Sequence, residues 1–130
     1  MVTYGFGAYL DVPYEEAILR VKDALKAEGF GVLTEIDVRR TLKEKIDAEM
    51  EPYSILGACN PQLAHRALTT EPEIGLLLPC NVVVRAEGGG SCVEIADPKV
   101  MLGIVSNDAL DAIADEAKQR LERALAALTA

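Results

Sequence analysis

A chain of 130 residues, half of them hydrophobic, has a one-domain length and can build an ordinary core. Its net charge of −8 excludes a broad nucleic-acid or anionic-membrane surface, which needs a basic footprint. No apolar run approaches the ~20 residues of a membrane span, and with four Tyr, two Phe and no Trp the core must be aliphatic.

A first strand runs from Tyr4 to Val12, and Pro13 opens a helix behind it. Tyr14, Ala17, Ile18, Val21, Ala24 and Leu25 recur at helical spacing, with Glu15 and Glu16 in the first turn. Gly29 stands where a C-cap glycine belongs, and Phe30 supplies the apolar contact of such a cap. Gly31 to Ile36 reads as a second strand. Asp37 caps a short helix with an inner stripe of Val38, Leu42 and Ile46 and an outer basic run of Arg39, Arg40, Lys43 and Lys45. Glu51 to Cys59 is a third strand. A second short helix follows from Asn60 to about Thr70, with Asn60 as N-cap and Pro61 at the first helical position.

Ile74 to Glu87 reads as one long extended stretch, with Pro79 at a bulge or edge position. Gly88-Gly89-Gly90 makes a hairpin turn, and Ser91 to Ala96 returns. Pairing across that turn sets Val84 against Val93 and Val82 against Ile95. It puts Cys92 opposite Arg85, on one face with Val83 and Glu94, and turns Cys80 toward the helices. The final helix begins near Ser106 or Asn107 with a stripe of Leu110, Ile113, Ala114, Ala117, Leu121, Ala124, Leu125 and Leu128. The pattern is that of a single α+β domain over residues 1–130. It predicts an antiparallel sheet of about five strands, with the first helix and the long C-terminal helix packed on one face.

Four phrases carry a family resemblance: Glu28-Gly29-Phe30-Gly31-Val32-Leu33-Thr34-Glu35-Ile36-Asp37, Thr41-Leu42-Lys43-Glu44-Lys45, Ile55-Leu56-Gly57-Ala58-Cys59-Asn60-Pro61, and Gly75-Leu76-Leu77-Leu78-Pro79-Cys80-Asn81-Val82. On them the chain, from Tyr4 to about Leu128, resembles the domains of unknown function of family 302 (DUF302). The resemblance implies a β-α-β(4)-α fold similar to half of the TATA-box-binding protein. It implies no activity, and the fold does not import DNA binding.

Cys59 is the thiol placed at a helix start, where the dipole favours a thiolate, and it is the candidate reactive group. The competing reading is a small buried hydrophobe at a strand end. His65, the only histidine, lies six residues on and is the weaker catalytic candidate, with no Asn or Asp placed to orient its ring. Asn60, Cys80 and Asn81, from the repeated Cys-Asn phrase, are ligand-binding candidates, as are Lys43 and Lys45 as an anion site. The bland alternatives are a helix cap for Asn60 and a solvated face for the lysines. No C-x-x-C, H-x-x-x-H or haem-attachment spacing occurs, so neither metal nor cofactor is expected.

Met1 to Gly7 has no charged n-region and no apolar h-region, so three reduced thiols in the cytoplasm are expected. Two functional readings follow. The first is a homodimeric module that binds a small ligand or partner, its subunits meeting over the mixed face of Val83, Arg85, Cys92 and Glu94. The second is a thiol-dependent activity centred on Cys59, either redox exchange or carriage of a sulfur or acyl group.

Overall fold

The computed structural model describes residues 2–130. Its first strand, β1 (Gly5–Leu10), and its second, β2 (Gly31–Asp37), form opposite edges of one sheet, linked by helix α1 (Tyr14–Ala27), which crosses the sheet face. Between them lie β3 (Tyr53–Cys59), β4 (Cys80–Glu87) and β5 (Gly90–Ala96), in the order β1-β5-β4-β3-β2, every pair antiparallel. Short helices α2 (Val38–Ile46), α3 (Pro61–Thr70) and α4 (Pro98–Gly103) decorate the connections, and α5 (Asp111–Thr129) closes the fold. The expected α+β fold is borne out, with β-α-β(4)-α as its framework.

Local chemistry explains the joints. Gly29 takes a left-handed φ of +83°, which costs an L side chain but not glycine. The Phe30 N–H then donates to the Leu25 carbonyl (2.9 Å) and the Gly29 N–H to that of Lys26 (3.0 Å), ending α1 in a Schellman turn. Leu25 and Phe30, the apolar pair of that turn, are both buried. The β4–β5 hairpin turns at Gly88, φ +57°. Its register is the one that alternation demands: Val82 faces Ile95, Val84 faces Val93, and Arg85 faces Cys92.

The core is aliphatic and one layer deep. Leu56, Val82, Val84, Val93 and Ile95 project from the sheet against Ala17, Val21 and Leu25 of α1 and Ile113, Ala117 and Leu121 of α5, all buried. The two long helices pack on each other and on the same sheet face, α1 against β4 and β5, α5 against β1. On the other face Val83, Arg85, Cys92 and Glu94 are half-buried and Tyr9 is exposed.

Three local expectations are corrected, and one short helix is added. The stretch from Ile74 is not extended: Pro72–Leu77 is a 3₁₀ helix against α3, and β4 starts only at Cys80, after a cis Leu78–Pro79 peptide. An apolar run without periodicity fits a strand or a buried turn equally, and burial of Ile74 selects the turn. Helix α4 was not anticipated, although Asp97 and Pro98 form a cap-and-N1 pair. Asn107 caps a 3₁₀ turn (Asp108–Leu110), so α5 proper begins at Asp111. The stripe of α2 buries no residue; Ile46 is 70% exposed.

Candidate functional site at the end of β3

β3 runs directly into α3. The Asn60 side-chain oxygen accepts from the Leu63 N–H (3.1 Å), Pro61 occupies the first turn, and Asn60 itself is buried. Because β3 and β4 are antiparallel neighbours, the end of one meets the start of the other. Ala58 lies opposite Cys80, and Gly57 opposite Asn81. The two Cys-Asn phrases therefore come together at one end of the sheet. Gly57 is required there: a Cβ would collide with Thr34 Oγ1 and stand 2.9 Å from Pro79 Cγ.

Above this sheet end, α3, the 3₁₀ helix, α4 and α5 border a cavity of about 570 Å³ that opens to solvent on one side. That volume lies in the range of small-molecule pockets, roughly 300–1,000 Å³. Cys59, Asn60, Cys80 and Asn81 all line it, with Thr34 beside them on β2. The helical wall is apolar, with Leu63, Ala64 and Ala67 from α3, Met101 and Leu102 from α4, and Ile113 and Ala117 from α5. Three lining leucines stand out toward solvent: Leu33 is 69% exposed, Leu68 40% and Leu76 88%. Burial pushes the Cys80 thiol up to about 11, and the Cys59 thiol nearby acts in the same direction, so Cys80 stays protonated at neutral pH.

The other candidates lie elsewhere. His65 is exposed on α3 and outside the cavity lining. Lys43 and Lys45 are exposed on α2; Lys43 is held by Asp47 and Glu49, each at 2.6 Å. Cys92, on the opposite face, donates to Glu87 Oε2 (3.1 Å), beside an Arg85 guanidinium paired with Glu94 (2.9 Å) and Glu87 (3.0 Å). All three thiols are free. Among the described residues no three His, Cys, Asp or Glu side chains gather as a metal ion would need. Thr34, Met101 and the rim leucines are lining residues not anticipated from the sequence. The aperiodic run Ile74-Gly75-Leu76-Leu77-Leu78 was the available signal, since it is too apolar for a solvated loop.

The family model described as "Domain of unknown function DUF302" matches residues 8–128. The chain belongs to the DUF302 family. A solved DUF302 relative, the "uncharacterized conserved protein DUF302 from Bacillus stearothermophilus", is 34% identical, with 95% of this chain and 97% of that chain covered and a TM-score of 0.88. The sheet and its helices are thus shared with an experimental DUF302 structure. An "Uncharacterized protein" of Aquifex aeolicus (strain VF5) is 29% identical over 84 residues, 65% of this chain. The matched stretch is 51% of that relative, about half its length.

Proposed function

We propose that this DUF302 protein is a cytoplasmic, homodimeric module that binds a small molecule in the cavity between β3, α3 and α5. The observation that carries the reading is the cavity itself. It holds about 570 Å³ behind a narrow set of polar groups, and two otherwise unrelated Cys-Asn phrases converge on it. Subunit pairing over the Val83 and Cys92 face accompanies this reading, and the three free thiols suit a reducing compartment. Titration with a neutral environment-sensitive fluorophore, N-phenylnaphthylamine, tests ligand binding. Saturable enhancement at one site per chain is expected, and enhancement no greater than that of a compact protein without a cavity refutes it.

A thiol-dependent activity is the second reading, favoured by the place of Cys59 on the cavity wall at the start of α3. Cys80, held protonated by burial, leaves Cys59 as the thiol to react there. Alkylation of the folded protein near neutral pH, read by mass spectrometry, should label Cys59 before Cys80 and Cys92. Labelling of Cys92 with Cys59 protected removes this reading and leaves ligand binding.

A further inference from the structure

The cavity's chemistry restricts what it accepts. None of its lining residues carries a charge. Its polar residues, Thr34, Asn60, Asn81 and two cysteines, all come from the sheet and its joint with α3, and the helices opposite contribute only apolar side chains. An ionised group carried to the inner wall of this space gives up part of its water and meets no counter-ion, which disfavours its burial there. The net charge of −8 opposes an anionic ligand at longer range. The Asn60 oxygen is committed to the Leu63 N–H (3.1 Å), which leaves its Nδ2 as the donor, whereas Asn81, exposed and next to the inward-facing Val82, turns its side chain to the other face of the sheet.

Resting on the reading of this cavity as a ligand site, we propose that its ligand is an uncharged, largely aliphatic molecule with one neutral oxygen group, a hydroxyl or carbonyl, set against Asn60. The aliphatic part fills the space between α3, α4 and α5. The oxygen group faces the end of the cavity that carries the Asn60 amide. The exposed leucines at the rim, Leu33 and Leu76, extend the apolar path to solvent.

Displacement of N-phenylnaphthylamine from the full chain by dodecanol, dodecanoate and dodecylammonium, one chain length with three end groups, tests this. Dodecanol should displace the fluorophore at a concentration about tenfold or more below that of either ion, a difference of roughly 1.4 kcal/mol. Leu76→Lys, at an 88% exposed position that the fold does not depend on, should bring dodecanoate closer to dodecanol by supplying the missing cation. If the fluorophore and dodecanol both fail to bind, the ligand-site reading falls and this inference with it. If they bind but dodecanoate or dodecylammonium competes as well as dodecanol, the site stands and its neutrality is refuted.

Discussion

At the scale of single residues, one side-chain oxygen secures the joint on which the cavity depends. Asn60 Oδ1 satisfies an N–H that the first turn of α3 would otherwise leave unpaired. Asn60→Ala should lower stability by about 1 kcal/mol, and Asn60→Asp, which keeps the acceptor, should cost little. Urea denaturation of the two variants measures the difference; equal, negligible losses would mean that the cap is dispensable. This role was legible from Asn-Pro at a strand–helix boundary. The role of Asp97 was not. Burial alone would push its carboxyl up, but the Lys118 ammonium at 2.8 Å and the Lys99 N–H at 2.9 Å outweigh it and hold the group below its ordinary 3.8. A carboxyl depressed in the folded state adds stability above its ordinary value and loses it as pH falls through the lower folded value. Lys118→Met should therefore destabilise by about 1–3 kcal/mol near neutral pH, where Asp97 is left charged and buried. The gap to the parent chain should close in acid below 3.8, and denaturation midpoints across that range check it. Twenty-one residues separate the partners, so no local pattern announces the pair.

At the scale of elements, periodicity told most where an element buries a full stripe. Every residue of the C-terminal stripe from Leu110 to Leu128 is buried or half-buried, as a sustained 3.6-residue pattern requires. The same pattern misleads for α2, which is too short and too near the sheet edge to cover its own apolar positions. It fails for the 3₁₀ helix, whose apolar residues face α3 on one side and solvent on the other. Within β3 the decisive residue is Gly57, pressed between β2 and β4. Gly57→Ala should cost about 1–3 kcal/mol by overpacking. Because one of the two colliding atoms is Thr34 Oγ1, Thr34→Ala should recover part of that loss in the double variant. Thermal melting of the three proteins reads the coupling, and strict additivity would place the strain at Pro79 alone.

At the scale of the whole molecule, the open sheet face carries the remaining expectation. Val83 lies half-buried there beside the Arg85–Glu94 ion pair, and a groove of about 340 Å³ lies between β1 and β5 where Gly5 and Gly7 lack side chains. Light scattering across a concentration series should give twice the 14.0 kDa of one chain; a monomer mass at every concentration means that water covers this face. Val83→Glu should then shift a dimer toward monomer without unfolding it, since the position is only partly buried.

The sequence by itself determined the order of strands and long helices, the hairpin register, the caps at Gly29, Asp37 and Asn60, and the family. Each of these rests on interactions between residues near in the chain, or on an alternation that admits one solution. Only the tertiary structure decided that the two Cys-Asn phrases meet. Only there do Cys59 and Cys80 part from His65 and the α2 lysines, and only there does the space over β3 remain unfilled. Those outcomes depend on which strand lies beside which and on how far α3, α4 and α5 stand from the sheet. A cavity is the volume that side chains from distant segments fail to occupy, and no single segment encodes it.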